Sequence, residues 1–135
     1  MIQRLQTVFL LISTVLNGFI FFTPIYLRAM QDPADWIGWL FTALLAASIL
    51  TGGYAVFLYR DRNKQMKWVQ FGTFIQTASL ATGAAILFTL GGIGSFLMRE
   101  ALSVLLLLLS LISLWQAYRF IKKDQELVES MDRIR

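Results

Sequence analysis

Two amides are the most chemically capable side chains within the long apolar stretches of this chain. Asn17 lies in the first stretch and Gln76 in the third. In a helix, each would share a face with other polar or small residues spaced three or four positions, or a multiple of these, apart. Amides on such a face either bond to a neighbouring helix or line a polar pocket for a solute, a quinone or a lipid headgroup. We expect intramembrane polar contacts from both residues, and the two alternatives stay open.

The same spacing predicts one close-packing face on each apolar helix, because small and hydroxyl side chains let helix backbones approach one another. The faces hold Gln6, Ser13, Asn17 and Pro24 in the first helix; Gly38, Thr42, Ala46 and Gly53 in the second; Gly72, Gln76, Ser79 and Gly83 in the third; and Ser103, Ser110 and Ala117 in the fourth.

Several kinds of chemistry are excluded by composition. The 135 residues include no cysteine and no histidine, so thiolate or imidazole metal sites and thiol redox chemistry are absent. No Asp, Glu, Lys or Arg lies inside a predicted span, and Arg99 and Glu100 stand at an edge. Embedded charges usually mark ion pathways or proton relays. A membrane-bound enzyme is therefore the weakest alternative, and we expect a non-enzymatic protein without a cofactor.

Two weaker motifs have simple structural explanations. Gly91, Gly92 and Gly94 lack the Gly-Lys-Ser/Thr ending of a phosphate-binding loop and predict a turn. Asp32 and Asp35 could touch a divalent cation, but calcium needs six to eight oxygen ligands. We expect a solvated turn there, with Asp35 as the N-cap of the next helix, and no metal site.

The hydropathy of the chain predicts a membrane protein. Hydrophobic residues make up 57% of it, above the usual 45 to 50% of soluble domains. Four apolar runs predict spans at residues 7–27, 36–59, 68–90 and 101–121 within one domain, 1–135. A secretory signal is the alternative for the first run, but this run exceeds the usual 7 to 15 residues and no small-x-small cleavage site follows. Pro24 should kink or end that helix.

A basic segment at residues 59–67, here called the hinge, separates two predicted hairpins. Its cations are Arg60, Arg62, Lys64 and Lys67. Alternating the loops across the bilayer puts ten of the twelve Lys and Arg with the N-terminus, the hinge and the C-terminal tail, and leaves Arg28 and Arg99 opposite. The positive-inside rule then predicts four spans with both termini in the cytoplasm.

The C-terminal tail, residues 122–135, is charged yet keeps a helical period. Its apolar positions, preceded by Ile121, are Leu127, Val128, Met131 and Ile134. This spacing predicts an amphipathic helix that continues the last span and lies on headgroups or docks on a partner. Lys122 and Lys123 should join the hinge cations in an inner-face basic cluster, for which anionic lipid headgroups are the expected partner rather than nucleic acid.

Three segments carry a resemblance to a known family. They are residues 1–11, the hinge sequence Tyr-Arg-Asp-Arg-Asn-Lys-Gln at 59–65, and the ending Lys-Asp-x-x-Leu-Val-x-Ser-x-Asp-Arg-Ile-Arg at 123–135. In these the chain resembles the small bacterial four-span membrane proteins grouped as domain-of-unknown-function family 4293. The resemblance implies a bacterial cytoplasmic-membrane location and supplies no catalytic residue.

Together these observations predict an all-α integral membrane four-helix bundle made of two transmembrane hairpins, with an amphipathic cytoplasmic C-terminal helix. The expected function is that of an accessory or scaffold subunit of a larger membrane assembly. The alternative is a small transporter or channel for a neutral or weakly polar solute, which would use the faces of Asn17 and Gln76.

Overall fold

The computed structural model describes residues 2–31, 35–91 and 98–134, and this part of the chain forms five α-helices and no strand. The helices are α1 (Ile2–Ile20), α2 (Pro24–Gln31), α3 (Asp35–Phe57), α4 (Arg62–Gly91) and α5 (Met98–Ile134). The predicted all-α class is confirmed for these residues. Segments of three helices are long and apolar enough to cross a membrane, namely Trp36–Phe57, Arg62–Phe88 and Ala101–Arg133.

The first apolar stretch, residues 7–27, is divided between two helices, because α1 ends at Ile20 and α2 begins at Pro24. The helix end predicted near Pro24 is confirmed. Proline has no N–H to donate to the carbonyl four residues earlier, which here belongs to Ile20. That carbonyl instead accepts the Thr23 N–H at 3.0 Å and the Thr23 hydroxyl at 2.6 Å. Pro24 then occupies the first position of α2, where a missing N–H costs nothing.

The hinge is shorter than predicted. Only residues 58–61 lie between α3 and α4, so Arg62, Lys64 and Lys67 belong to the first turns of α4. Asp61 is the N-cap of α4: its backbone carbonyl accepts the Gln65 N–H at 2.9 Å and its Oδ1 accepts the Lys64 N–H at 3.3 Å. The cap explains why the helix starts within the basic segment rather than at Trp68.

The last helix is longer than the predicted span. α5 has 37 residues and continues without a break from the apolar segment into the charged tail. At 1.5 Å per residue it is about 55 Å long, against roughly 30 Å for the hydrocarbon core of a bilayer. The predicted continuation of the last span by a helical tail is confirmed up to Ile134.

The helices pack so that each of α1, α3, α4 and α5 lies against two of the others. α1 packs most extensively against α5 and also against α3, while α4 packs against α3 and α5. α2 lies mainly on α3. Gly38 permits that contact, because a Cβ there would lie only 2.8 Å from the carbonyl oxygen of Ala29.

Some predicted features lie outside the described residues. These are the turn with Asp32 and Pro33 and the turn at 92–97, together with the side chains of Arg4, Arg28, Asp35, Gly91, Glu100 and Ile134. The cation site considered at Asp32 and Asp35 and the N-cap predicted at Asp35 are among them.

Candidate functional site

The buried residues form two apolar clusters with polar residues between them. The Phe41 cluster consists of Ile20, Ile25, Ala29, Phe41, Leu45, Ile86 and Leu107. The Leu114 cluster consists of Leu10, Ala55, Val69, Leu114, Ala117 and Ile121. On α1, α3, α4 and α5 the residues between the two clusters include buried polar side chains. We call them the central polar layer: Ser13, Asn17, Ser48, Gln76, Ser79 and Ser110.

Ser110 is the centre of the hydrogen bonding in this layer. Its hydroxyl lies 2.8 Å from the Ser13 hydroxyl, accepts the Asn17 amide N–H at 3.0 Å, and donates to the Ser13 carbonyl at 3.3 Å. A hydroxyl has one proton and two lone pairs. Because its proton goes to the carbonyl, the Ser13 hydroxyl must be the donor in the hydroxyl pair. The Ser110 oxygen is then fully bonded, and α1 is joined to α5.

Gln76 makes the corresponding link from α4. Its side chain is fully buried, and its Nε2 donates to the carbonyl oxygen of Leu107 at 3.2 Å. A carbonyl only accepts hydrogen bonds, so the amide nitrogen must face Leu107 and the amide oxygen must point elsewhere. Leu107 is three residues before Ser110, a rise of about 4.5 Å along α5. The amides of Asn17 and Gln76 therefore meet α5 within one turn of each other.

Ser48 of α3 lies at the same level. The antiparallel contact between α3 and α4 is set by Gly72, where a Cβ would lie 3.1 Å from the Thr51 hydroxyl, and by Gly83, where it would lie 3.7 Å from the Phe41 ring. Ser48 and Gln76 each lie seven residues from the contact of Phe41 with Gly83, and three and four residues from the contact of Thr51 with Gly72. Ser48 therefore lies opposite Gln76. All four helices thus contribute polar side chains to one layer.

Three buried atoms of the central polar layer have no hydrogen-bond partner among the described residues. They are Asn17 Oδ1, Gln76 Oε1 and Ser48 Oγ. All of the residues concerned are uncharged, so the layer has no acid or base to move a proton at neutral pH. In the described chain no group of three or more Asp or Glu side chains could hold a metal ion. The arrangement can accept or donate hydrogen bonds, and little else.

The predicted faces agree with burial on three helices. Gln6, Ser13 and Asn17 of α1 are buried, as are the predicted faces of α4 and α5. Pro24 belongs to α2 and is only partly buried. On α3 the predicted position Gly53 is wrong as a close contact, because a Cβ there would have no atom within 4 Å. Gly52 is the contact residue, where a Cβ would lie 2.8 Å from the Thr14 hydroxyl.

Of the six cations predicted to form a basic cluster, four lie in the hinge and two in the tail. Within the hinge, Arg60 precedes α4 and the other three lie in its first turns. Arg62 crosses between helices, with its Nε 3.0 Å from Asp124 Oδ2, as an ion pair without hydrogen-bond geometry. Lys64 pairs with Asp61 at 3.6 Å, and Arg60 stacks on its neighbour Tyr59, 5.8 Å from the ring centroid. The other three cations line surface grooves: Lys67 lies in one, and Lys122 and Lys123 share another.

A groove of about 720 Å³ lies where the hinge meets the tail. Its walls carry both signs of charge, with Arg60 and Arg62 beside Asp61 and Glu129. Gln125 donates to Asn63 across this junction and to Glu129 along the tail.

Gln65 is a structural residue that the sequence analysis missed. It is buried, and its Nε2 donates to the carbonyl oxygen of Ala55 at 3.0 Å. Ala55 lies in the last turn of α3, where its carbonyl accepts the Leu58 N–H at 3.2 Å and has no donor four residues further on. The amide therefore holds α4 on the end of α3. The available signal was an amide in the first turn of a helix that is capped by Asp61 and begins at Arg62, so finding it depended on locating that start correctly.

Comparison with protein-family models matches residues 2–134 to the domain of unknown function DUF4293. The chain belongs to this family. The match covers nearly the whole DUF4293 chain, including the central polar layer, the hinge and the tail. Comparisons with curated proteins and with solved structures find no match. The family carries no assigned activity, so the function of this DUF4293 protein has to be argued from its own geometry.

Proposed function

We propose that this DUF4293 protein is an integral membrane four-helix bundle of two hairpins that serves as a non-enzymatic accessory or scaffold subunit of a larger assembly in the bacterial inner membrane. The distribution of side chains supports the membrane location. The interior contains the polar layer, whereas the exterior exposes large apolar side chains such as Phe19, Phe57, Phe74 and Phe88. This suits a molecule whose solvent is lipid rather than water.

The first crossing combines α1 and α2. Alone, the apolar segment Leu5–Ile20 of α1 rises only about 24 Å, short of the roughly 30 Å hydrocarbon core. Ile25 and Ala29 of α2 are buried in the Phe41 cluster with Ile20. The turn between them bonds its own backbone, because Phe22 donates to Phe19 at 3.0 Å and Thr23 to Ile20. Such satisfied backbone is tolerated at membrane depth when buried in protein.

Exposed aromatic residues near both ends of α3 support the same placement. Trp36 and Trp39 lie at one end, and Tyr54 and Tyr59 towards the other. Tyr54 also packs edge-on against Trp68 of α4, with ring centroids 5.0 Å apart. Aromatic side chains with a polar tip favour the two membrane interfaces. Ends separated in this way fit a helix that crosses the bilayer.

The basic hinge and tail support an orientation with both termini in the cytoplasm. A periplasm-dependent reporter fused to the C-terminus should therefore be silent, while a cytoplasm-dependent reporter should be active. Replacing Arg60, Arg62, Lys64 and Lys67 together with Gln should produce a mixture of orientations, because these cations carry much of the bias. Activity of the periplasmic reporter on the unaltered chain would overturn the orientation.

The tail of α5 is the observation that carries the accessory role. It continues the last span as one helix, and the ion pair between Arg62 and Asp124 joins it to the start of α4. Beyond this junction Leu127 and Met131 are 50% and 67% exposed. An apolar pair held on a continuous helix beyond the bilayer suits docking on another subunit, and makes the alternative of lying flat on headgroups unfavourable.

Gentle detergent extraction followed by mass spectrometry tests this role. The full chain should co-purify with a stoichiometric membrane partner. The double variant Leu127→Ser/Met131→Ser should lose that partner. The matched control Glu126→Ser/Arg133→Ser should keep it, because both residues are exposed and lie about 100° or more around the helix from Leu127 and Met131. A lone protomer without any stoichiometric partner would contradict the proposal.

A second candidate is a small transporter or channel for a neutral or weakly polar solute. The unpaired oxygens of Asn17 and Gln76 favour it, because transporter sites commonly lie near the bilayer midplane. Glycerol flux into liposomes that contain the purified protein is the measurement. Flux above that of empty liposomes, reduced in the Asn17→Leu/Gln76→Leu variant, would favour this candidate over the scaffold.

A further inference from the structure

The central polar layer has a specific deficit of hydrogen-bond donors. Asn17 Oδ1 and Gln76 Oε1 are acceptors, their residues are fully buried, and neither atom has a partner in the described chain. Both amide nitrogens already donate to α5. Buried polar atoms are nearly always paired, since in a low-dielectric interior no bulk water compensates them. Of the unpaired atoms of the layer, only Ser48 Oγ carries a proton to donate, and this single proton cannot serve both acceptors. At least one donor therefore comes from a group outside these residues.

The surroundings define the chemistry of that group. No side chain of the layer carries a charge at neutral pH, because the layer consists only of serine and amide side chains. A cation bound there would have two amide oxygens and hydroxyls as ligands but no negative charge to balance it. Charge near the middle of a membrane is unfavourable. A neutral molecule with at least two N–H or O–H donors matches both oxygens. Ser48 Oγ, also unpaired, can accept or donate a third hydrogen bond.

We propose that the central polar layer is a binding site for one small neutral molecule that donates hydrogen bonds to Asn17 Oδ1 and Gln76 Oε1, with Ser48 as the third contact. Water is the smallest molecule of this class, since a buried water typically makes two to four hydrogen bonds. A small polyol has the same chemistry. The site joins α1, α3 and α4 between the Phe41 cluster and the Leu114 cluster.

This inference rests on the hydrogen bonds and on the proposed membrane location, and it needs neither the accessory role nor transport. A stably bound water would act as a structural link between helices whether or not a partner binds the tail. Loss of the site would leave the co-purification result unaffected, and absence of a partner would leave the site unaffected. The two proposals can therefore fail separately.

Nuclear magnetic resonance of the full chain in lipid nanodiscs tests the site, with nitrogen-15 labels on the side-chain amides. Magnetisation should pass from water to the amide protons of Asn17 and Gln76, with the sign of a long-lived contact, although both residues are fully buried. Backbone amides of Leu45 and Ile86 in the Phe41 cluster should receive none. In a second arm, glycerol is titrated. A saturable shift of both amides together with loss of the water signal would identify a polyol-sized ligand.

Two variants make the test decisive. Gln76→Met keeps the size of the side chain but removes an acceptor, so the water signal at Asn17 should fall at least several-fold. Ser113→Ala is the matched control outside the layer, because Ser113 is buried on α5 and its hydroxyl bonds to the Leu109 carbonyl of its own helix. If Gln76→Met fails to fold, Asn17→Leu with detection at Gln76 serves instead. Absence of both the water signal and any glycerol shift in the unaltered chain would overturn the site, as would an unchanged signal at Asn17 in Gln76→Met.

Discussion

The central polar layer and the hinge end contain most of the polar contacts between helices, yet they use them differently. In the layer, neutral groups are fully buried, and one hydroxyl, that of Ser110, joins Ser13 and Asn17. At the hinge end, charges stay partly exposed, and Arg62 pairs with Asp124 while the side chains remain 28% and 15% exposed. The difference follows from solvation: charges stay where water reaches them, whereas neutral amides can be buried once bonded.

This contrast predicts that an added charge lowers stability far more in the central polar layer than at the hinge end. Asn17→Lys places an ammonium in the layer and should cost about 2.5–3.5 kcal/mol. The matched change Asn63→Lys at the exposed hinge end loses only the exposed hydrogen bond from Gln125 and should cost less than about 1 kcal/mol. Folded protein in the membrane fraction, followed by reversible unfolding in bicelles, gives the comparison. Equal accumulation of both variants would show that the layer is not screened from water.

A smaller effect should separate two buried serines of α5. Ser110→Ala removes the hydroxyl that accepts from Ser13 and Asn17, leaving donors unpaired, and should cost about 1–2 kcal/mol. Ser103→Ala should cost less than about 0.5 kcal/mol, because that hydroxyl bonds only to the Arg99 carbonyl of its own helix. Unfolding free energies in the same bicelles provide the measurement. Indistinguishable values would remove Ser110 as the link between α1 and α5.

The cap of α4 should matter by roughly 1 kcal/mol. Asp61→Ala removes the side-chain oxygen that accepts the Lys64 N–H, and the first turn of α4 should fray. Asp61→Asn keeps an acceptor and should retain most of the stability. Hydrogen exchange at Asn63 and Lys64 reports the fraying directly. Exchange that is as fast in Asp61→Asn as in Asp61→Ala would mean that charge, not capping, starts the helix.

The least effect is expected from the ion pair at the hinge end. A double-mutant cycle with Arg62→Gln and Asp124→Asn should give a coupling of about 0.2–1 kcal/mol, as for other partly exposed pairs. The coupling should shrink in high salt, because screening weakens charges that reach solvent. Coupling that exceeds the cost of Ser110→Ala would reverse the ranking of the two regions.

The sequence predicted which face of a helix is buried where the spacing of its polar and small residues fits a single face. Asn17 and Gln76 were expected to make contacts between helices, and both do. The predicted face of α3 was wrong at Gly53, because one residue turns a helix by about 100° and the close contact with Thr14 is made by Gly52 instead. Gln65 was missed because its partner, the Ala55 carbonyl, lacks the usual donor four residues on only because α3 ends at Phe57.

Local chemistry accounts for the break at Thr23. Pro24 removes the donor for the Ile20 carbonyl, so a helix end near it could be expected from the residues. The exact residue at which α1 ends could not be predicted, because the hydroxyl and the backbone N–H of Thr23 together set it by donating to the Ile20 carbonyl. The start of α4 is similar: Asp61 is a good N-cap by residue type, but several polar residues of the hinge could have served.

The sequence by itself determined the helical class, the apolar character of the long helices, the distribution of cations and the absence of histidine and cysteine chemistry. These depend on composition and on contacts a few residues apart. Only the tertiary structure decided that Asn17, Ser48, Gln76 and Ser110 occupy one layer between two apolar clusters, with three polar atoms unpaired. That outcome depends on how four helices are aligned along one another, and alignment is set by contacts such as Gly72 with Thr51 that join residues distant in the chain.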